Sequence, residues 1–269
     1  MNSPINNIRD IDALPEFDNH RIVSFFFDAA TNLKGFIAIH RGGINNPALG
    51  ATRFWAYDTE TDGLRDALRL SRTMSYKSAL ARLKYGGAKA VILNSKLASS
   101  KRDDFFKTYA QKVNYLSGKF ITGTDVGVTN DDIKVMRQVT PFVIGSSVDP
   151  GYFTGVGVVY GIQTALKHLF GRESLDNKSF AIQGIGKTGF NILEILYNST
   201  NKIVVADIDL KKVQEVKKRF PKIKIVNSKD IHKQEVDVFV PCAMSDVINA
   251  QTVSDIRAKI IAGSANSQL

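Results

Sequence analysis

The segment Gln183-Gly184-Ile185-Gly186-Lys187-Thr188-Gly189 constrains the fold more than any other stretch of the chain. It reads G-x-G-x-x-G, follows the apolar run Ser179–Gln183 and opens the helix-patterned run Lys187–Asn198. Each glycine has its own reason: the first permits a tight turn, the second lets a pyrophosphate approach the backbone, and the third lets the helix pack on the strand. Free amides and the positive end of the helix dipole then hold a phosphate. A second strand, Lys202–Ala206, ends at Asp207, 18 residues after Gly189, where an acid grips an adenosine ribose. The bland alternative is that these glycines merely end a strand and that Asp207 caps the next helix. Strand, loop, helix, strand and acid in order favour a dinucleotide site. An acid at Asp207 repels a 2′-phosphate and so favours NAD over NADP, although Lys211 and Lys212 lie nearby.

The same alternation continues. A helix at Leu210–Phe220 and strands at Ile223–Val226, Val236–Val240 and Lys259–Ala262 follow, which implies a parallel sheet with right-handed crossovers. Upstream, Thr154–Phe170 reads as a helix stopped by Gly171, after a Gly/Ser/Pro-rich loop at Gly145–Gly151. The first half is different. Paired strands at Arg21–Phe27 and Gly35–His40 flank a polar turn, a helix runs from Glu60 to about Leu83, and Ala88–Leu93 is a buried strand behind Gly86-Gly87. Further helices at Arg102–Leu116 and Asp131–Gln138 flank a strand at Lys119–Thr122. The fold class is therefore α/β: an N-terminal mixed α/β substrate domain, 1–145, followed by a Rossmann-type doubly wound parallel sheet, 146–269.

Composition removes several function classes. No apolar run approaches the roughly 20 residues of a membrane helix, and Met1–Glu16 has no apolar secretory core, so a cytoplasmic location is expected. Cys242 is the single cysteine, and four scattered histidines lack ligand spacing, so neither a disulfide nor a metal site is expected. The net charge of +10 raises nucleic acid as a partner. Much of it sits between Lys202 and Lys233, where ten Lys or Arg face four Asp or Glu and Phe220 is the only aromatic. Stacking residues are nearly absent there, and the lysines interleave with strand and helix patterns as on a solvated face. No nucleic-acid partner is expected.

Several motifs recur in a telling order. Pro47-Ala48-Leu49-Gly50-Ala51-Thr52-Arg53 is followed by Met74-Ser75-Tyr76-Lys77, Tyr85-Gly86-Gly87-Ala88-Lys89 and Thr124-Asp125-Val126-Gly127. After the glycine loop come Val240-Pro241-Cys242-Ala243 and Ala262-Gly263-Ser264-Ala265-Asn266. Together, from about Arg21 onward, these resemble the Glu/Leu/Phe/Val dehydrogenase superfamily, and leucine dehydrogenase above all. The resemblance implies NAD-dependent oxidative deamination of an amino acid and assembly into a homo-oligomer.

Matched to the family, Lys77 binds the substrate carboxylate, Lys89 is the catalytic lysine and Asp125 the catalytic aspartate. The chemistry suits them. A zwitterion needs a fixed cation, water attack needs a base poised near neutral pH, and a lysine set behind two glycines near another lysine has its pKa depressed toward about 7–8. Read singly, Lys77 and Lys89 are equally ordinary lysines among 36 basic residues, and Asp125 a turn residue. The resemblance places Leu49, Met74 and Gly123 around the substrate side chain, with no charge among them, so an apolar amino acid is favoured. Gly123 is smaller than the alanine usual there, which leaves room for a bulkier side chain. Thr154 matches a threonine near the nicotinamide amide, and the loop Gly184 to Gly189, with Ile185, Gly186, Lys187 and Thr188, joins Asp207, Cys242, Ala243 and Asn266 as the cofactor set.

Family members usually continue past the Ala-Gly-Ser-Ala-Asn segment, so the resemblance also implies that a C-terminal extension is lacking. The expectation drawn from this is retained NAD binding with low or absent turnover. Three functions follow: a dehydrogenase for leucine or a similar branched-chain amino acid, a relative acting on phenylalanine or an indolyl substrate, and a catalytically weak NAD-binding homologue with a regulatory or co-assembly role.

Overall fold

A computed structural model of the chain describes residues 11–42, 45–93, 97–145, 150–243, 247–266 and 268. It divides into two compact units, Met1–Val148 and Asp149–Leu269. Much of the loop foreseen at Gly145–Gly151 lies outside the described residues. No helix among the described residues is long and apolar enough to cross a membrane.

In the first unit, β1 (Ile22–Asp28) and β2 (Leu33–Arg41) form an antiparallel hairpin. Asp28 Oδ1 closes its turn by accepting from the Thr31 amide and hydroxyl, and Asn32 takes a left-handed conformation at φ 55°. Two short strands were not foreseen from the sequence: β3 (Ala48–Leu49) and β4 (Thr52–Trp55). Both run parallel to β5 (Gly86–Leu93), and they are broken apart at Gly50, where a side chain would strike the Ala88 carbonyl. Runs this short carry no periodicity of their own. Strand β6 (Phe120–Ile121) completes the order β1-β2-β5-β3-β6, with β4 also on β5.

Alternation along β2 and β5 sends side chains to two cores. Leu33, Ile37, Ile39, Ala88, Ala90 and Ile92 join the core containing Phe105, Phe106 and Tyr109 of α2 (Arg102–Asn114) and Ile133 and Met136 of α3 (Asn130–Arg137). Phe36, Ala38 and Val91 face the opposite way, against Leu64, Ala67 and Leu68 of α1 (Glu60–Leu80). Thr59 caps α1 by accepting from the Asp62 amide, and Glu60 and Asp62 favour the positive end of its dipole. The helix ends at Leu80, three residues short of the sequence reading, because Arg82 turns left-handed at φ 54°. By the same alternation Lys89 shares the face of Val91, under α1, and Arg53, paired with Val91 across the sheet, shares it too.

The second unit opens with α4 (Pro150–Phe170), four residues earlier than the sequence pattern indicates, because proline needs no amide partner in a first turn. Strand β7 (Phe180–Gln183), α5 (Lys187–Tyr197), β8 (Ile203–Ala206), α6 (Leu210–Arg219), β9 (Lys224–Ile225), β10 (Val238–Pro241) and β11 (Ile260–Ile261) follow. The strands form one parallel sheet in the order β11-β10-β7-β8-β9. The chain leaves β7 toward β8 on one side and comes back to β10 on the other. That reversal opens a crevice at the carboxyl ends of these strands. Phe180, Ile182, Val205, Val238 and Val240 face α4 and α5 through Ile162, Leu166, Ile192 and Leu193.

Gly87 sets how closely α1 sits on the first sheet, since a Cβ there would collide with the Ser75 amide. Gly87→Ala is therefore expected to destabilise the protein by about 3 kcal/mol, at the upper end of ordinary single substitutions. Urea unfolding measures it, and a loss near zero would mean that α1 can back away freely.

Candidate active site

The face of the first sheet beneath α1 gathers charge where apolar packing is the norm. Lys89 on β5 is 4% exposed, and its Nζ lies 2.5 Å from Asp125 Oδ2. The same oxygen accepts from Arg53 Nε at 3.0 Å. Arg53 turns its Nη1 to Asp66 Oδ2 of α1 at 2.7 Å, and Asp66 also accepts from the Tyr57 hydroxyl at 2.5 Å and from Arg69 Nη2 at 3.2 Å. The result is a buried chain of charges running from Asp66 through Arg53 and Asp125 to Lys89.

Protonation follows from burial and neighbours. Burial pulls the Lys89 ammonium below the ordinary lysine value; Asp125 opposes that pull and Arg53 adds to it. Burial pushes Asp125 up, but Lys89 and Arg53 outweigh it and hold the carboxylate below its usual value. Arg53 stays above the ordinary arginine value because Asp125 and Asp66 outweigh burial. Arg53 is a like charge acting on Lys89 that the sequence did not point to. Lys77 sits late on α1; burial lowers its pKa against the pull of Asp125, and since much of its side chain is exposed this counts for less than at Lys89.

Of the residues matched to a substrate side chain, Leu49 and Met74 lie beside Gly87. Leu49 pairs with Gly87 across the sheet, and the Met74 backbone lies against the face of Gly87. Gly123 follows Ile121, the other strand partner of Leu49, and a Cβ there would come within 3.1 Å of the Ile144 carbonyl oxygen. All three are uncharged. Sequence reasoning assigned no role to Arg53, Asp66 or Tyr57. Arg53 stood inside a quoted motif, and Asp66 lies between Leu64 and Ala67 on the apolar face of a helix, where an acid is a signal in itself.

In the second unit the three glycines divide their work as the loop requires. Gly184 is left-handed at φ 86°, and a Cβ there would lie 3.0 Å from Ala243. Gly186 has open space where a side chain would project, and at Gly189 a side chain would strike the Gly184 carbonyl. Gly186 is the N-cap of α5 with no side-chain cap, and no acid occupies the first turn that Lys187 and Thr188 begin. Backbone amides are therefore left for an anion.

A cleft of ≈ 380 Å³ adjoins this loop, lined by Gln183, Gly184, Gly186, Asp207, Cys242 and Ala243 among others. Asp207 Oδ2 accepts from the Ile185 amide at 2.7 Å, and its Oδ1 accepts from the Asp209 amide at 3.0 Å. The cap of α6 is Asp209, not Asp207, so helix capping does not account for Asp207. Burial raises the Cys242 thiol above its ordinary pKa, with Ser264 opposing. Thr154 and Asn266 are not part of the cleft lining; Thr154 is exposed on α4 and donates to the Pro150 carbonyl at 2.8 Å.

Among the described residues, Gln183 Oε1, on a side chain that lines the cleft, is buried without a hydrogen-bond partner, and its strand neighbours Ala206 and Pro241 have no side-chain donor to offer. An orphaned acceptor in a cleft wall, an open Gly186 and uncapped amides fit a ligand that carries both phosphate and hydrogen-bond donors.

A parallel sheet with a phosphate loop, together with a separate unit holding a buried lysine–aspartate pair, defines a two-unit α/β protein of the dinucleotide-binding type. The chain belongs to the Glu/Leu/Phe/Val dehydrogenase family. Residues 22–141 match its profile "Glu/Leu/Phe/Val dehydrogenase, dimerisation domain", and residues 145–269 match "Glutamate/Leucine/Phenylalanine/Valine dehydrogenase". Among its relatives, phenylalanine dehydrogenase of Bacillus thermotolerans is 38% identical over 97% of this chain and 71% of its own length. Leucine dehydrogenase of Bacillus subtilis is 37% identical over 95% and 71%. The crystal structure of L-tryptophan dehydrogenase from Nostoc punctiforme superposes with a TM-score of 0.70 at 37% identity, covering 97% of this chain and 73% of that one.

The buried ammonium makes a pH prediction whose sign can be worked out. In the unfolded chain Lys89 keeps its proton to about pH 10.4, whereas in the folded protein it releases it lower. Between those points the unfolded state binds more protons, so this residue makes stability rise with pH. Urea unfolding of the wild type and Lys89→Met from about pH 7 to about pH 10 should show the wild type gaining on the variant. A constant difference would mean that Lys89 titrates like an exposed lysine.

Proposed function

We propose that this protein catalyses the oxidative deamination of an apolar L-amino acid to its 2-oxo acid and ammonia, with NAD as hydride acceptor. The observation that carries the reading is the Lys89 ammonium buried on Asp125 at 2.5 Å, in a chain whose relatives are amino-acid dehydrogenases. When bound, a nicotinamide ring supplies the acceptor for the hydride leaving the substrate α-carbon. The protein supplies the rest. Lys77 binds the substrate carboxylate, and Asp125 takes the proton from the substrate ammonium and faces the cationic iminium. Lys89, losing its proton more readily than an ordinary lysine, takes a proton from the water that attacks the iminium carbon. It returns that proton to the nitrogen, and as the C–N bond breaks and ammonia departs it takes the remaining hydroxyl proton, leaving the carbonyl of the 2-oxo acid. The low dielectric around these groups strengthens each interaction.

For the cofactor, the amides of Gly186, Lys187 and Thr188 hold the diphosphate and Asp207 the adenosine ribose, which disfavours a 2′-phosphate. Ile185 shapes the turn, Cys242, Ala243 and Asn266 border the bound molecule, and Thr154 serves the nicotinamide amide. For the substrate, uncharged Leu49, Met74 and Gly123 favour an aliphatic or aromatic side chain over glutamate. The protein works as a homo-oligomer joined through the first unit, whose strand β1, outermost among the described residues, exposes Phe25 and Phe27.

NADH formation with leucine, valine, phenylalanine, tryptophan and glutamate tests the reaction. Turnover of an apolar substrate, lowered about 10²- to 10⁴-fold in Lys89→Ala, is expected, and equal turnover of leucine and glutamate would sink the apolar pocket. Gln183→Leu should weaken NADH binding about tenfold while leaving the ligand-free melting temperature equal or higher, because it removes an acceptor that ligand-free protein leaves unpaired. An unchanged affinity would remove Gln183 from the cofactor set. Light scattering on Phe25→Lys/Phe27→Lys should show a smaller assembly than the wild type; the same mass in both would place the interface elsewhere.

A further inference from the structure

Behind the lysine–aspartate pair lies a group with no role in the proposed steps. Asp66 is 7% exposed and Arg53 8%, and the guanidinium spans the two carboxylates, Nη1 on Asp66 Oδ2 at 2.7 Å and Nε on Asp125 Oδ2 at 3.0 Å. The Arg53 fork is rigid and planar. Fixing one of its ends on α1 therefore fixes where the other presents its N–H to Asp125. Tyr57, donating at 2.5 Å, and Arg69, at 3.2 Å, in turn fix Asp66.

Charge makes the same point. Lys89 and Arg53 are two buried cations, and Asp125 is one anion; only with Asp66 do the signs balance. We propose that Asp66 is a positioning residue for the deamination centre, which through Arg53 orients the Asp125 carboxylate and balances the charge of its pair with Lys89. This rests on the reaction proposed above.

The consequence has a definite sign. A buried charge left unpaired is costly, and arginine does not give up its proton. With Asp66 neutralised, the cluster relieves its excess charge through the cation that discharges most easily, Lys89. Among the described residues, the charged or titratable groups facing this cluster include Asp125 after β6, Arg53 on β4, Tyr57 in the loop that follows it, and Asp66, Arg69 and Lys77 on α1. Asp66 acts on Lys89 to hold its proton, and Arg53 acts to release it. Burial and Asp66 both keep the Tyr57 phenol neutral, so it does not compete.

The experiment is a pH titration of the Lys89 side chain by ¹³Cε NMR in the full chain, assigned by loss of the signal in Lys89→Ala. It needs no turnover, so it remains decisive even if the deamination reading fails in the activity assay. Asp66→Asn should move the Lys89 midpoint to lower pH and carry the acid limb of kcat/KM with it in the same direction. Asp66→Glu should restore both. Arg69→Gln removes a cation from the far side of Asp66 at a partly exposed position, and should move the midpoint to higher pH. Opposite shifts in the two variants support the proposal. An unmoved midpoint in Asp66→Asn, or shifts of the same sign in both, would overturn it and leave Asp66 a purely structural residue. If Asp66→Asn fails to fold, the Arg69→Gln midpoint decides alone.

Discussion

An ammonium group taken out of water must find its compensation in the protein, and much of the first unit is arranged around that need. Lys89 lies on the central strand of its sheet, two residues after Gly87, whose missing side chain lets α1 close over the strand. Closing the helix is what removes the water, and removing the water is what makes the ion pair with Asp125 matter. The same closure obliges Arg53 and Asp66 to exist as a pair. Each would be a liability alone, and together with Lys89 and Asp125 they form a set in which the buried charges cancel. Packing and chemistry are a single constraint here.

The second unit solves a different problem with almost no side-chain chemistry. Its loop leaves the first amides of α5 without a side-chain cap while that helix packs on the preceding strand. Gly184, Gly186 and Gly189 meet three separate demands: a left-handed turn, an open approach, and a close helix contact. Asp207 belongs to the same construction, since its carboxylate accepts from the Ile185 amide and so ties the end of β8 to the loop after β7. A residue read from sequence as a ribose ligand also holds the loop in shape.

Legibility tracked how local each feature is. The long elements were readable because their apolar periodicity is a property of neighbouring residues, and α1, β5 and α5 appear within a few positions of their expected ends. The short strands β3 and β4 were not, since two and four residues carry no period and exist only because β5 offers them a ladder. The helix ends at Leu80 and Pro150 also departed from the pattern, one through a left-handed residue and one through proline at a first turn. Within the buried charge cluster, Lys89 and Asp125 were singled out through motif and family resemblance. Asp66 was hidden because its importance lies in a contact with Arg53, 13 positions away.

By itself the sequence determined the fold class, the glycine pattern of the loop after β7, the order of the long elements and the family, because each is written in spacing and residue type along the chain. Only the tertiary structure decided the state of the charges. Whether Lys89 is a surface lysine or a buried one depends on a helix laid over it, and whether Asp125 is only a turn residue depends on two cations brought to one oxygen from different strands. Spacing records which residues are present. Burial and distance, which decide their protonation, are set by segments far apart in the chain.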